Sequence, residues 1–324
     1  MPRAIVLAAH GGPEQLQWRD VPVGTPGPGE ARIRQTAVGL NYIDIYARSG
    51  LYPLLSPPAV IGMEAAGVVE ATGRGVTGLS PGDHVAYVAA PGGACAEARL
   101  IDTKHLVKVP AGISDAQAAA LMLKGLTAEY LLFRTHPVRN GDTVLVQAAA
   151  GGVGLLLCQW AHALGCTVIG TAGGAQKCAL AAANGAMHVI DYHRQDVAAE
   201  VARLTNGRGV DVVYDGVGKD TFAGSLAALA TFGHLVSFGQ SSGAVPAFTT
   251  AQLATRSLSV TRPSLFHYIA DRARLDAMSA RLFAAVLDGT LSVTIGATFA
   301  LHECAAAHRA LESRATTGAV ILLP

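Results

Sequence analysis

The turn from Ala149 to Gly154 constrains the fold of this chain more than any other feature of the sequence. Its residues, Ala149-Ala150-Gly151-Gly152-Val153-Gly154, follow an apolar segment at 143–147 and precede a segment with helical periodicity at 154–164. A Gly-x-Gly-x-x-Gly pattern in this position, here with alanine first, lets the backbone approach a pyrophosphate that binds at the helix N-terminus. The turn therefore predicts a dinucleotide-binding domain, with Gly151, Gly152 and Val153 at the phosphates.

Strand and helix patterns alternate along the middle of the chain. The predicted strands are 143–147, 167–171, 188–191, 210–214, 234–238 and 258–261. The predicted helices are 154–164, 176–184, 197–204 and 221–230. Apolar strands separated by helices require crossover connections, which produce a parallel sheet covered on both faces. The expected class is α/β, with a Rossmann, doubly wound parallel-sheet cofactor domain.

The first part of the chain predicts a second, mostly β domain. Short β-branched runs at 31–34, 68–70 and 84–88 alternate with turns rich in glycine and proline. A helix follows, with Ser114 as its N-cap, and continues with interruptions to about Phe133.

The C-terminal tail is too small to bury a core alone. It holds predicted helices at 272–288 and 304–312 and a strand at 319–323. We expect it to return to the N-terminal domain. The predicted divisions are therefore 1–123, 124–262 and 263–324.

Composition limits the partners that we expect. Lysine and arginine number 24, and aspartate and glutamate 23, which gives a net charge of +1 without basic or acidic runs. This balance argues against binding to nucleic acid or an anionic membrane. The apolar stretches are too short to span a bilayer and the N-terminus lacks signal-peptide features, which predicts a cytoplasmic protein with a small-molecule partner. The five cysteines form no Cys-x-x-Cys pair, so reduced thiols are expected.

The segment after the turn indicates which dinucleotide is bound. Domains that bind NAD usually carry an acid at the end of the second strand, but none occurs from Ala161 through His188. Lys177 follows that strand, beyond Gly173, and is placed to meet a 2′-phosphate, although a solvated helix lysine is the alternative. Tyr192 and Arg194 are further candidates for this pocket, with simple packing equally compatible for Tyr192. NADPH is therefore favoured over NADH.

Several segments outside the turn carry a family pattern. They include Gly39-Leu40-Asn41-Tyr42-Ile43-Asp44, Glu64-Ala65-Ala66-Gly67 and Lys124-Gly125-Leu126-Thr127-Ala128, with others at 10–14, 46–53, 238–239, 261–264 and 312–316. With the turn, they resemble the zinc-independent NADPH:quinone oxidoreductases, the zeta-crystallin-like branch of the medium-chain dehydrogenase/reductase superfamily. The resemblance implies a GroES-like catalytic domain, formed by the first and last parts of the chain, with substrate in a cleft. It also implies a homodimer joined through the cofactor domains near 258–261.

The resemblance also indicates that no metal is bound. Zinc members of the superfamily use an early cysteine and a Gly-His-Glu segment, but this chain has Asn41 and Gly62-Met63-Glu64 there. A tetrahedral nitrogen and sulfur site cannot be assembled from these residues. Alcohol oxidation is unfavourable without a Lewis acid to stabilise the alkoxide. Reduction of a quinone or an activated double bond does not require one.

The resemblance assigns site residues by position. Asn41, Tyr46 and Tyr52 are expected to line the nicotinamide and the substrate, with packing as the alternative for the tyrosines. The other expected cofactor contacts are Thr127, Tyr130, Phe238, Gly239, Gln240, Ser241, Ser264 and Arg314. Arg314 is alternatively a surface ion pair. No general acid is identified, and Met63 and Gly216 depart from close relatives in ways that would alter the pocket.

Three functions are compatible with the sequence. The first is NADPH-dependent quinone reduction, and the second is NADPH-dependent reduction of alkenals or enones in the same cleft. The third is a cofactor-regulated RNA-binding or structural protein, since some zeta-crystallin relatives have such roles. Balanced charge without a basic stripe argues against the third.

Overall fold

Sixteen β-strands form in the computed structural model, which describes residues 1–324. They are β1 (Arg3–Leu7), β2 (Leu16–Asp20), β3 (Glu30–Leu40), β4 (Ala59–Val60), β5 (Glu64–Thr72), β6 (His84–Val88), β7 (Ala98–Asp102), β8 (Leu106–Lys108), β9 (Thr143–Val146), β10 (Thr167–Ala172), β11 (His188–Asp191), β12 (Val210–Asp215), β13 (Leu229–Ser237), β14 (Ser259–Thr261), β15 (Ile295–Ala300) and β16 (Ala319–Leu323).

Ten α-helices connect them. They are α1 (Tyr42–Ser49), α2 (Asp115–Tyr130), α3 (Gly152–Ala163), α4 (Ala175–Ala183), α5 (Val197–Leu204), α6 (Phe222–Ala228), α7 (Ala251–Ala254), α8 (Leu265–Tyr268), α9 (Arg272–Leu287) and α10 (Cys304–Glu312). A π-helical turn, Leu131–Thr135, continues α2. No helix is both long and apolar enough to cross a membrane.

The chain divides into two units. The β-rich unit contains Met1–Leu126, Phe266–Leu287 and Val293–Pro324, and the parallel-sheet unit contains Thr127–Leu265 and Asp288–Ser292. The divisions expected from sequence, after residues 123 and 262, lie three residues before those of the structure. Sequence patterns gave no signal for the short segment 288–292, which groups with the parallel sheet.

The β-rich unit is built on β3, the longest strand. Its neighbours are β5 and β16, both antiparallel, and β7 pairs with its first half. The pairing of Val320 with Leu40 and of Leu322 with Val38 inserts the C-terminal strand beside it. Burial of these apolar side chains in one core ties the tail to the first 126 residues.

The parallel-sheet unit has the strand order β11-β10-β9-β12-β13-β14, with every pair parallel. Leu145, Ile169 and Val213 are almost completely buried, as strands covered on both faces require. This unit confirms the predicted α/β class and the doubly wound sheet.

One predicted helix is shorter than its sequence pattern indicates. The alanine-rich segment 221–230 forms α6 only as far as Ala228, and Leu229 already pairs with Val210 as part of β13. Leu229 is completely buried in the core of the sheet. Tertiary burial therefore overrides the helix propensity of the alanines at this end.

Candidate active site

The glycine turn joins the end of β9 to the start of α3. Gly151 is the N-cap of α3, with extended φ and ψ of −81° and 170°. A Cβ on Gly154 would lie 2.3 Å from the carbonyl oxygen of Ala148, so only glycine allows the helix to begin this close to the strand. The first N–H groups of a helix have no carbonyl partner within it. The turn therefore presents N–H donors at the N-terminus of α3, where an anion binds favourably.

A buried hydrogen-bond network lies behind this turn and was not predicted from sequence. Thr171 donates to Gln147 at 2.7 Å, Gln147 donates to Ser225 at 3.0 Å, and Ser225 donates to Asp215 at 2.8 Å. All four side chains are buried. They join the ends of β9, β10 and β12 to α6. The only sequence signal is a polar residue that closes each apolar strand.

The end of β10 lies against the loop that follows β11. A Cβ on Gly173 would lie 2.7 Å from the hydroxyl oxygen of Tyr192 and 2.9 Å from Nε2 of His193. The rings of Tyr192 and His193 make an edge-to-face contact at 4.8 Å. Tyr192 is 43% exposed, so it packs and also remains accessible. Lys177 lies in the first turn of α4, which starts just beyond Gly174.

Asp191 ends β11, and its carboxylate lies beside the end of β10, where it binds backbone N–H groups. Oδ1 accepts hydrogen bonds from the N–H groups of Gly174 at 3.0 Å and His193 at 3.1 Å. These two N–H groups hold the pKa of Asp191 below its usual value. Arg194 Nε lies 4.0 Å from the other carboxylate oxygen. The surroundings of Gly173 therefore offer basic and hydroxyl groups, and the nearest acid is already hydrogen-bonded.

The remaining predicted cofactor residues of the parallel-sheet unit follow β13 and β14. Phe238 N–H donates to the carbonyl of Asp215, and Ser241 N–H to that of Gly216. A Cβ on Gly239 would lie 2.5 Å from the Gly216 oxygen, so these two loops touch through backbone. Because all six strands are parallel, Gly151, Gly173, Tyr192, Phe238, Gly239, Gln240, Ser241 and Ser264 follow strand ends at one edge of the sheet. Thr127 and Tyr130 are buried on the last turn of α2.

The β-rich unit holds a second cluster around Glu64, whose side chain is completely buried. Asn41 Nδ2 and Lys124 Nζ donate to Glu64 Oε1 at 2.8 Å and 2.7 Å. The backbone N–H of Leu123 donates to Oε2 at 2.5 Å. A Cβ on Gly39 would lie 2.2 Å from Oε1, so the glycine in the Gly39-Leu40-Asn41 segment makes room for this carboxylate.

Sequence reasoning missed this cluster as a unit. Glu64 and Lys124 lie in two segments of the family pattern, but 60 residues separate them, and the resemblance assigns a role to neither. The available signal was a charged residue inside an otherwise apolar segment, such as Lys124 after Leu121-Met122-Leu123. Such a residue requires a buried partner, which sequence alone does not identify.

The predicted aromatic residues follow Asn41 along the chain. Asn41 is the N-cap of α1, which carries Tyr46, and the ring centroids of Tyr46 and Tyr52 are 4.8 Å apart. Tyr52 N–H donates to the carbonyl of Tyr46 at 3.1 Å. The structure therefore brings the two tyrosines into contact, on and just after the helix that Asn41 caps. Arg314 belongs to the same unit and lies beside Tyr42, where its charge opposes the rise that burial causes in the pKa of Tyr42.

Asp44 is a second buried carboxylate next to Asn41. Oδ2 accepts the N–H of Asn41 at 2.8 Å, and Oδ1 has no hydrogen-bond partner. Burial raises the pKa of Asp44 to about 7; the charge of His308 opposes this rise, and the charges of Glu64 and Cys304 add to it. Asp44 therefore carries a proton in a substantial fraction of molecules near neutral pH.

Comparisons with known proteins cover nearly the whole chain. Residues 27–138 match the family model described as alcohol dehydrogenase GroES-like domain, and residues 152–282 match the model described as zinc-binding dehydrogenase. A quinone oxidoreductase of Pseudomonas aeruginosa is 48% identical over 100% of both chains. A 2-haloacrylate reductase of Burkholderia sp is 45% identical over 100% of this chain and 99% of the relative. The crystal structure of Escherichia coli quinone oxidoreductase complexed with NADPH is 43% identical, covers 99% of this chain and 100% of that chain, and has a TM-score of 0.97.

We predict that Asp44→Asn changes how stability depends on pH. The folded protein holds the Asp44 proton more tightly than the unfolded chain, so the stability contributed by Asp44 is complete below about pH 4 and lost as pH rises to about 7. Relative to wild type, the variant should gain up to about 4 kcal/mol between these pH values. Urea unfolding across this range measures the effect.

The matched control is Asp20→Asn, an exposed aspartate of β2. Its unfolding free energy should follow that of wild type at every pH. If Asp44→Asn also follows wild type, the carboxyl group is not protonated near neutral pH in the folded protein.

Proposed function

This chain belongs to the quinone oxidoreductase family of the medium-chain dehydrogenase/reductase superfamily, and from this premise we propose that it reduces quinones with NADPH. The observation that carries the proposal is the full-length identity of 48% to a quinone oxidoreductase. The enzyme class follows from the family, and the residues of the two clusters described above support the chemistry.

The residues at the edge of the parallel sheet fit NADPH. The close approach that Gly154 allows leaves a cradle for a pyrophosphate at the N-terminus of α3. Lys177, Tyr192 and Arg194 are the groups that we assign to the 2′-phosphate, and one oxygen of the neighbouring Asp191 carboxylate is held by backbone N–H groups. NADPH in this position supplies a hydride to the acceptor.

The residues around Asn41 do not fit a zinc ion. Zinc in proteins takes thiolate, imidazole or carboxylate ligands. Here the neighbours are the Asn41 amide and the Glu64 carboxylate, which already binds the Lys124 ammonium at 2.7 Å. A buried positive charge repels a second cation at this place. We therefore propose that the reaction proceeds without metal.

The substrate wall that we propose consists of Asn41, Tyr46 and Tyr52. A quinone is flat and weakly polar, and aromatic side chains provide a matching surface. Asn41 is oriented by its bond to Glu64, because only the amide nitrogen can donate to a carboxylate. Its carboxamide therefore has a fixed orientation for contacts with the nicotinamide or the acceptor.

A second candidate substrate is an activated carbon–carbon double bond. The 45% identity to a 2-haloacrylate reductase favours this candidate, since a haloacrylate is an electron-poor alkene. Hydride transfer to such an alkene needs the same hydride donor, NADPH, and the same hydrogen-bond donors to an oxygen atom of the substrate. We rank it below quinone reduction because the quinone oxidoreductases of two further bacteria are also 43% identical over the full chain.

We further propose a homodimer in the cytoplasm. The strand β14 lies at the edge of the six-stranded sheet and pairs only with β13, so its outer side offers backbone groups to a second copy. All five cysteines are free thiols, which suits a reducing compartment.

We predict that the purified protein oxidises NADPH when 1,4-benzoquinone or 9,10-phenanthrenequinone is added, and that NADH is a poorer donor. A haloacrylate and an enone, assayed in parallel, measure the second candidate. Turnover only with the alkenes would replace the first candidate by the second. Absence of turnover with every acceptor, despite tight NADPH binding, would exclude both.

We predict that Lys177→Ala raises the KM for NADPH by about tenfold or more, because a charge-assisted hydrogen bond to the 2′-phosphate is lost. The KM for NADH, which lacks that phosphate, should change little. Arg203→Ala removes a surface charge from α5 of the same unit and is the control. Equal effects of Lys177→Ala on both dinucleotides would remove Lys177 from the 2′-phosphate site.

A further inference from the structure

The Lys124 ammonium is buried and only partly satisfied. Its side chain is 7% exposed, and its one hydrogen bond within the chain is to Glu64 Oε1. An ammonium group has three N–H donors, so two have no acceptor in the protein. Buried polar groups almost always have hydrogen-bond partners, so the two remaining N–H groups call for an acceptor from outside the chain.

The neighbouring groups do not supply the missing acceptors. Glu64 Oε1 already receives Asn41 and Lys124, and Oε2 receives the Leu123 N–H. An oxygen atom from outside the protein is therefore the partner that suits the remaining N–H groups.

The Lys124 ammonium, which lacks two hydrogen-bond acceptors, lies where the substrate is expected to bind. Lys124 and Asn41 donate to the same carboxylate oxygen, so the ammonium lies beside the residue that we assign to the substrate. We propose that Lys124 donates a hydrogen bond, and then a proton, to the substrate oxygen that becomes negative during reduction. This inference rests on the proposed function and supplies the proton donor that sequence reasoning did not identify.

A quinone that accepts a hydride gains one hydrogen nucleus and two electrons, and becomes a hydroquinone monoanion. The Nζ–H bond of Lys124 breaks, an O–H bond forms on the anion, and neutral hydroquinone results. Lys124 is left as an amine and regains its proton from solvent. Glu64 accepts hydrogen bonds from both Lys124 and Asn41 and acts as their positioning residue.

The direct test measures a bound phenol without turnover. In protein saturated with NADP⁺, 4-nitrophenol imitates the hydroquinone anion, and its phenolate has a distinct absorbance. Titration of the bound probe should show ionisation at lower pH than in water, because the ammonium stabilises the phenolate. In Lys124→Met this shift should disappear. An equal shift in wild type and Lys124→Met would overturn the proposal.

Lys108→Met is the matched control, since Lys108 is an exposed lysine of the same unit that pairs with Asp83 at 2.8 Å. It should leave the probe titration and the turnover unchanged. Lys124→Met should lower kcat with 1,4-benzoquinone by about 100-fold, the usual contribution of a general acid. Unchanged kcat in a folded Lys124→Met protein would also overturn the proposal.

Removal of Lys124 leaves Glu64 buried without a counter-charge, which can prevent folding. The double variant Glu64→Gln/Lys124→Met removes both charges, and it should also fail to shift the bound phenol. A probe shift that persists in the double variant contradicts the role of Lys124. If the wild-type protein reduced no quinone, the proposed function would be refuted instead. The probe titration needs no turnover, so it distinguishes this failure from failure of the role of Lys124.

Discussion

The buried carboxylate of Glu64 is the interaction on which the proposed substrate site depends. Burial of a carboxylate away from water costs several kcal/mol unless hydrogen-bond donors and an opposite charge surround it. Asn41, Lys124 and the Leu123 N–H supply three donors and one positive charge. The donors come from the start of α1 and from α2, and Glu64 belongs to β5, so the ion pair and these hydrogen bonds fix the relative positions of three elements. A side chain at position 39 would overlap the Glu64 carboxylate, so glycine is required there.

A comparable constraint organises the parallel-sheet unit. Asp215 accepts hydrogen bonds from Ser225, from Thr221 and from the N–H groups of Val217 and Gly218. Through Ser225 and Gln147 the network reaches Thr171 at the end of β10. Satisfied buried networks of this kind rigidify the elements they join. The loops that we assign to NADPH therefore emerge from strand ends with fixed positions.

Much of this architecture is predictable because it depends on local patterns. The sequence predicts α5, α10, β11 and β16 with the same bounds as the structure, since each has clear periodicity between turn residues. It fails at Leu229, where burial in the sheet outweighs alanine-rich helix propensity. The glycine turn was predictable because its mechanism is contained in six neighbouring residues. The Glu64 cluster and the Asp215 network were not, because their partners are distant in sequence and meet only after folding.

We propose that the chain transfers hydride from NADPH to a quinone without a metal ion, at a site where the Lys124 ammonium repels a metal cation. The most direct measurement is a single turnover by stopped flow, with protein stripped of metals and its metal content verified by mass spectrometry. We expect NADPH absorbance to decay on mixing with 1,4-benzoquinone at the same rate before and after the metals are removed. Loss of the reaction on stripping, with recovery on addition of zinc, would contradict it.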